Sequence, residues 1–457
     1  EQFGFIMPET PIVMDFVEVE ARNRPNKTKK IKLDQLKFKP VPIKICELYF
    51  ESTWHRTNLY YRSQIGNGQT IIGPALILEK TGTVFVQPNW QAIVDENGCI
   101  ILSCEHKKRE KLLNQKLADP ILLEVFNNLF MSIAEQMGVT LQQTARSINI
   151  KERLDFSCAI FDNNGELIAN APHTPVHLGS MDRSVSSVIQ THPKMNKGDV
   201  FATNAPYNGG THLPDITVIT PVFNGTKSRP IFFVASRGHH ADVGGTAPGS
   251  MTPRATHIEE EGVILDNIKL VSEHRFLHNE ILQILTQNKY PCRNPEQNIA
   301  DLKAQIAANE RGVLELNEMI SKFSYKLVRS YKGFIQNYAE NCIRRMISNL
   351  NDGKAEVYFD QGCKISVLVK IDKNTKTAII DFSGTSPQQD DNFNAPEPIT
   401  RAAVLYCIRC MVEETIPINA GCLRPISIIL PKSSMLNPTY PAAVVAGNVE
   451  VSQAIAD

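Results

Sequence analysis

The 457 residues leave room for about three domains at ~150 residues each, and a composition of 42% hydrophobic and 21% charged residues is that of ordinary globular protein. The 48 Lys+Arg balance the 48 Asp+Glu, which argues against a basic nucleic-acid surface or an acidic interaction tail. No apolar run approaches the ~18 residues of a membrane helix, so neither nucleic acid nor membrane is expected as a partner. Ten cysteines lack the dense spacing of a secreted scaffold, which predicts free thiols in a reducing cytoplasm. Glu1-Gln2-Phe3-Gly4 opens no basic and apolar leader, and both ends read as cut from a longer polypeptide.

Residues 1–105 read as a β-rich unit. Asn23 to Lys39 is a lysine-rich exposed connection. Strands are then expected at Val41–Tyr49, Asn58–Tyr61, Ala75–Leu78, Gly82–Val86, Ala92–Val94 and Cys99–Leu102, in a small barrel or sandwich. Residues 106–116, with His106-Lys107-Lys108-Arg109, form a charged linker. From Pro120, Ile121, Leu122, Val125, Leu129 and Ile133 recur at helical steps, with Gly138 as the expected stop. Phe156–Asp162 and Glu166–Ala171 flank Asn163-Asn164-Gly165, a hairpin turn. Gly179-Ser180 starts a helix to about Gln190, and Asp199–Thr203 is a strand.

Residues 296–350 are the most helical stretch, interrupted at Gly312 without a proline. Strands return over 354–383, followed by a helix near 399–413, a strand at Pro425–Pro431 and a helix beginning near Val451. Cys407 and Cys410 form a CxxC, but they sit in a helical apolar pattern with only Cys422 beyond, so core packing is expected rather than zinc. The fold class is α+β: a small β-rich N-terminal domain, then a mixed α/β domain over 117–457 with antiparallel hairpins and long helices.

The segment that carries chemistry is Gly209-Gly210-Thr211-His212-Leu213-Pro214-Asp215, an apolar run to Phe223, a polar Asn-Gly loop, a second run from Pro230 to Ser236, then Arg237-Gly238-His239-His240-Ala241-Asp242-Val243-Gly244-Gly245. Two such runs around Asn-Gly predict a hairpin. With Phe223 opposite Pro230, Asp215 falls opposite Gly238 and His212 near Ala241, so His212, Asp215, His239, His240 and Asp242 gather at one end. Imidazole and carboxylate together suit Zn, Mn or Fe rather than Mg or Ca, and two His with one Asp leave coordination positions open. Adjacent strand residues face opposite sides, so His239 and His240 are not expected to bind one ion together.

Two plainer readings stand beside this one: satisfied or surface histidines, and a glycine loop binding an anion through its amides. His173 and His177 lie four apart, yet Pro172 and Pro175 forbid the helix that would align them. His177, just ahead of a helix, is the better pocket residue or proton carrier. His257-Ile258-Glu259-Glu260-Glu261-Gly262 reads as a solvated acidic turn, one of whose glutamates could serve as a base if it folded over the metal end. No GxxxxGK[ST], GxGxxG or GxSxG occurs to support a phosphate cradle or a serine hydrolase.

Asp155-Phe156-Ser157-Cys158-Ala159-Ile160-Phe161-Asp162, His177-Leu178-Gly179-Ser180-Met181 and the span Gly198 to Gly249 resemble the hydantoinase B family. So do Asp381-Phe382-Ser383-Gly384-Thr385, Asn392-Phe393-Asn394-Ala395, Ile418-Asn419-Ala420-Gly421-Cys422 and Gly447-Asn448-Val449-Glu450. Tyr61-Arg62, Gly73-Pro74-Ala75-Leu76-Ile77 and Thr83-Val84-Phe85-Val86-Gln87-Pro88 resemble the end of the hydantoinase A family. An A end joined to a B start is the layout of single-chain 5-oxoprolinases.

That resemblance implies ATP-dependent opening of a cyclic amide, 5-oxo-L-proline to L-glutamate. ATP and Mg would be bound by an upstream hydantoinase A-like ATPase domain of the same polypeptide, in a homo-oligomer. N-methylhydantoin hydrolysis and ketone carboxylation are the neighbouring alternatives, and a non-catalytic scaffold for the ATPase half is the alternative of another class. The family's His-x-x-Asp pattern lands on His212 and Asp215, with His239 as third metal ligand. His177, His240 and Asp242 are then the implied catalytic groups around it.

Overall fold

A computed structural model of the chain describes residues 14, 17–21, 39–50, 52–104, 118–171, 174, 177, 179–225, 229–414 and 416–457. The stretch 23–38, the linker 106–116 and His173 lie outside them. The chain divides into two compact units between residues 116 and 117.

The first unit holds β1 (Lys44–Phe50), β2 (Thr53–Tyr61), β3 (Thr70–Ile72), β4 (Ala75–Leu78), β5 (Thr83–Val86), β6 (Trp90–Val94) and β7 (Ile100–Cys104). They form a four-stranded sheet, β1-β2-β4-β5, and a three-stranded sheet, β3-β6-β7. Tyr60, Ile71, Ala75, Ile77, Val86, Ala92 and Val94 from both sheets share one core, as in a sandwich. The sequence reading found these strands except the three-residue β3, and it missed the first half of β2, where exposed Trp54 hides the alternation.

The second unit begins with α1 (Pro120–Thr144), whose first turn is capped by the Asp119 carboxylate accepting from the Ile121 and Leu122 amides at 2.9 and 3.1 Å. The helix runs through Gly138, the expected stop, to Thr144. A helical glycine costs about 1 kcal/mol relative to Ala, and burial of Met137 and Leu141 on either side outweighs it. Next come α2 (Ile148–Lys151), β8 (Phe156–Asp162), β9 (Leu167–Asn170), α3 (Met181–Thr191), β10 (Val200–Thr203), β11 (Asp215–Val222) and β12 (Phe232–His239). They are followed by β13 (Ile268–Ser272), β14 (Arg275–Phe276), α4 (His278–Thr286), α5 (Pro295–Phe323) and α6 (Tyr325–Ser348). The helical stretch breaks at Ser324, with φ of 71°, and Gly312 lies inside α5, where an added Cβ would meet Met137 Sδ at 2.5 Å. That glycine lets α5 lie close on α1; it does not end the helix.

Seven antiparallel strands form the central sheet, in the order β14-β13-β10-β11-β12-β8-β9. Helix α3 covers one face through Met181, Val185 and Val188 against Phe161, Phe201, Ile219 and Phe233. The other face packs Ile216 and Val218 on Ile299, Leu302 and Ile306 of α5. Every residue of β11 is buried, and all of β12 except its last. A second sheet, built from β15 (Gly353–Tyr358), β16 (Lys364–Asp372), β17 (Thr377–Asp381) and β18 (Ile426–Ile429), pairs its last two strands in parallel. Its core is completed by α7 (Glu397–Cys410) and α8 (Glu450–Ala456). In α7, Cys407 is half-buried and Cys410 exposed at the helix end, a departure from the core packing expected of the pair. Among the described residues no helix is long and apolar enough to cross a membrane.

Candidate metal centre

Asp215 opens β11 and His239 closes β12, and the two are cross-strand partners. The expected partner of Asp215 was Gly238; the pairing is one residue further along, because Val222 rather than Phe223 closes the ladder, against Phe232. Side chains alternate along a strand, so this one-residue shift decides the chemistry. It puts Asp215 and His239 on the same face, the one covered by α3.

His212 comes to the same place from the loop ahead of β11. Gly209 in that loop has φ of 92°, and a Cβ on it would lie 2.5 Å from the Arg183 backbone, so only glycine lets the loop pass this close to α3. His212 Nδ1 is 3.1 Å from Asp215 Oδ2, and the His212 and His239 ring centres are 5.0 Å apart. Among the described residues these three make up the one group of His, Cys, Asp or Glu side chains whose ligand atoms all lie within 4.8 Å of one another.

The donor set fits a divalent ion. His212 Nδ1 and Asp215 Oδ1 are buried without a hydrogen-bond partner; the 3.1 Å approach of His212 to Asp215 is an electrostatic contact, not an aligned bond. Buried polar atoms are rarely left in that state unless something else satisfies them. Burial would push the Asp215 carboxyl up, but the His212 and His177 imidazoles against it outweigh this and hold it well below the usual carboxylate range, ready as an anionic ligand. Burial, reinforced by neighbouring His212, pulls His239 down and keeps it a neutral imidazole. His239 Nδ1 meets the Asn149 amide at 3.0 Å, which leaves Nε2 for a ligand bond. Binding there would place the proton on Nδ1, to be received by the Asn149 amide turned to present its oxygen.

His177 reaches this cluster. Its Nε2 is 3.4 Å from Asp215 Oδ2 and its Nδ1 is 2.9 Å from Ser157 Oγ. Thr211 Oγ1 donates to the same Asp215 oxygen at 2.8 Å. His240 and Asp242 lie elsewhere. His240 is buried on the α5 side of the sheet, with Nε2 3.0 Å from Gln305 Oε1 and Nδ1 3.2 Å from Asn298 Nδ2. Asp242 accepts from the Gly244 and Gly249 amides, both at 2.9 Å, and from Arg293 Nη1 at 2.7 Å, so it shapes the glycine loop that follows.

Sequence reasoning passed over Arg237, which is fully buried on the triad's face of β12. Its Nε donates to Thr217 Oγ1 at 2.8 Å, Nη1 to Ser180 Oγ at 2.6 Å and Nη2 to Ser184 Oγ at 2.9 Å. Ser180 stands at the start of α3 as expected, yet its hydroxyl serves Arg237 and the His177 carbonyl instead of capping the helix. Burial lowers the guanidinium to about 10, while Asp215 and Asp182 act in the opposite sense. It therefore stays charged at neutral pH. An arginine inside an apolar strand pattern is the only signal the sequence offers for this group.

Glu261 is a further departure, since the acidic turn was expected in solvent. It is fully buried, with Oε1 accepting from the Val444 and Val445 amides at 2.8 and 2.9 Å and Oε2 unpartnered. Burial pushes it up to about 8. The unfolded chain releases this proton near pH 4.5 and the folded chain does not, so folding loses stability as pH rises from about 4.5 to about 8, by up to ~1.4 kcal/mol per unit. Glu261→Gln is expected to remove that slope: urea midpoints of variant and parent should agree at pH 5 and favour the variant at pH 8. Parallel profiles would count against a protonated Glu261.

Residues 119–457 match the family described as Hydantoinase B/oxoprolinase, and residues 26–103 match the Hydantoinase/oxoprolinase C-terminal domain. The chain belongs to the hydantoinase B/oxoprolinase family. It is 44% identical over 436 residues to 5-oxoprolinase 1 of Arabidopsis thaliana, covering 90% of this chain and 34% of that protein. It is 39% identical over 483 residues to the 5-oxoprolinase of Saccharomyces cerevisiae, covering 100% and 37%. The chain thus spans about a third of the length of these curated relatives. The ATP-dependent caprolactamase of Pseudomonas jessenii superposes with a TM-score of 0.67 at 25% identity, over 75% of this chain and 59% of that one.

Proposed function

We propose that this chain is the hydantoinase B-type part of an ATP-dependent cyclic amide hydrolase, converting 5-oxo-L-proline, ATP and water to L-glutamate, ADP and phosphate. The observation that carries the reading is the set of buried His212 and Asp215 with partly buried His239 at one end of the β11–β12 hairpin, in a chain whose relatives are named 5-oxoprolinases. His212, Asp215 and His239 would hold a divalent Zn, Mn or Fe ion. Such an ion supplies Lewis-acid polarisation and a bound water of lowered pKa.

The chain's own residues contribute the rest. Asp215 brings the negative charge that makes the set attractive to a cation, and Thr211 and His177 fix its Oδ2 so that Oδ1 stays available. His177 can carry a proton at Nε2, with Ser157 holding its other nitrogen and hence its tautomer. Arg237 holds the two loops that deliver His177 and His212. An amide is a poor electrophile, so activation with ATP and Mg is assigned to an upstream hydantoinase A-like ATPase domain of the same polypeptide. A cytoplasmic location accords with ten cysteines that are all free.

The test is elemental analysis of the intact purified protein, paired with a screen of 5-oxoproline, hydantoin and caprolactam in the presence of ATP. Stoichiometric Zn, Mn or Fe and ATP-coupled glutamate formation are expected, both lost in His212→Ala. Undiminished turnover in that variant would remove the site from the mechanism. Preference for another lactam would move the substrate but keep the class.

A further inference from the structure

His240 and the polar residues of α5 are left unused by the reading above. Asn298, Asp301, Gln305 and Asn309 recur at three- and four-residue steps, the spacing of a solvated stripe, yet all four are buried. They press on the sheet directly behind the triad. Asn298 Nδ2 donates to the Asp242 carbonyl at 2.8 Å and meets His240 Nδ1. Gln305 Oε1 meets His240 Nε2, and its Nε2 donates to the carbonyls of Ile216 at 2.8 Å and Ser236 at 3.0 Å. One turn on, Asn309 Nδ2 donates to the Val218 carbonyl at 2.9 Å and Thr220 Oγ1 at 3.1 Å. Asp301 Oδ1 accepts from the Arg146 and Ser147 amides at 2.7 and 3.1 Å, fixing the start of α2, which carries Asn149 to His239.

We infer that Gln305 and His240, at the triad end of this ridge, are a positioning device for the candidate metal centre, setting the separation of Asp215 and His239 from behind the sheet. Gln305 grips β11 at Ile216, the neighbour of Asp215, and β12 at Ser236. Through His240 it also grips the residue next to His239. The His240 amide bonds to the Pro214 carbonyl at 2.9 Å, joining the two ligand-bearing ends directly. Strand ends ordinarily fray, and here both are held by one side chain. Adhesion of α5 does not require these groups, because Ile299, Leu302 and Ile306 alongside supply an apolar contact to the same strands. The adjacent histidines divide the work: His239 faces the ligand set, and His240 anchors the strand that carries it.

The inference rests on the metal reading, and its test separates the two. Mn2+ alone is titrated into the intact protein, with electron paramagnetic resonance reading both free and bound ion. If the parent does not bind Mn2+, or Asp215→Asn binds it equally well, the metal reading itself fails. Given binding, Gln305→Met is expected to weaken it by ~10–100-fold, the range for groups that orient ligands, and to change the bound spectrum. Asn309→Met, which strips similar bonds one turn further from the ligands, should lower the urea midpoint comparably but leave the Mn2+ affinity within about threefold of the parent. Equal effects of the two on Mn2+ affinity, or an unaltered affinity in Gln305→Met, would overturn the positioning role. If Gln305→Met does not fold, His240→Ala and His240→Gln decide: the glutamine should recover affinity that the alanine loses, and equal affinities would refute the anchor.

Discussion

Asp215→Asn in the intact protein is expected to strip the divalent metal and to lower ATP-dependent turnover about a thousandfold. The change is nearly isosteric, so it tests charge rather than packing. Asp215 is the one anionic ligand of the set, and its carboxyl is held ionised by His212 and His177 against full burial. An amide in its place lacks the charge that balances a cation in a dry site, so metal affinity should fall by at least ~100-fold, beyond what loss of an orienting group does. Losing a Lewis acid worth about 4 kcal/mol at the transition state corresponds to about three decades in rate. Thr211 and His177 can still bond the amide oxygen, so the circular dichroism spectrum should stay that of the parent. A variant that keeps its metal, or turns over within about threefold of the parent, would refute the assignment.

Arg237→Met is expected to lower the stability of the second unit by about 3–5 kcal/mol, with Arg237→Lys intermediate. Replacing both members of a buried charged pair with apolar groups is often harmless. Here only one member changes. Asp215 loses the buried positive charge that acts on it, and the hydroxyls of Thr217, Ser180 and Ser184 lose their donor. Those serines continue outward: Ser180 Oγ donates to the His177 carbonyl at 3.0 Å and Ser184 Oγ to the Gly209 carbonyl at 2.6 Å. One guanidinium therefore fixes the loop ahead of α3 and the loop that carries His212. Lysine keeps the charge but cannot fork to three acceptors. Urea unfolding measures the effect, and a loss below ~1 kcal/mol in the methionine variant would show that the hydroxyls rearrange freely.

The hairpin and its cargo were legible because two apolar runs around Asn224-Gly225 leave few alternatives, and because period-two alternation separates His239 from His240. The register was not. It depends on where the ladder closes, and Phe223 and Ile231 are buried like the strand residues on either side, so hydrophobicity does not mark the last pair. Gly138 misled because the weak preference of one residue yields to the packing of α1. Arg237, Gln305 and Glu261 escaped for a shared reason: a polar residue reads as exposed until its partners are known, and those partners are distant backbone groups and hydroxyls. Ile299, Leu302 and Ile306 mark by their helical spacing the face of α5 that packs on the sheet, whereas Asn298, Gln305 and Asn309 beside it have the spacing of a solvent edge.

All three proposed ligands come from residues 212–239, whose far end is already closed by the chain between Val222 and Phe232. An ion at the near end would add a fastening to the Asp215–His239 pairing and the His240–Pro214 bond already there, and so further restrain the fraying of both strand ends. Chelation should then unzip the fastening locally and reversibly. Amide exchange would quicken at Asp215, Ile216, Gly238 and His239 and stay slow at Val222 and Phe232, so a protein stripped of its ion would wait, still folded, to be reloaded.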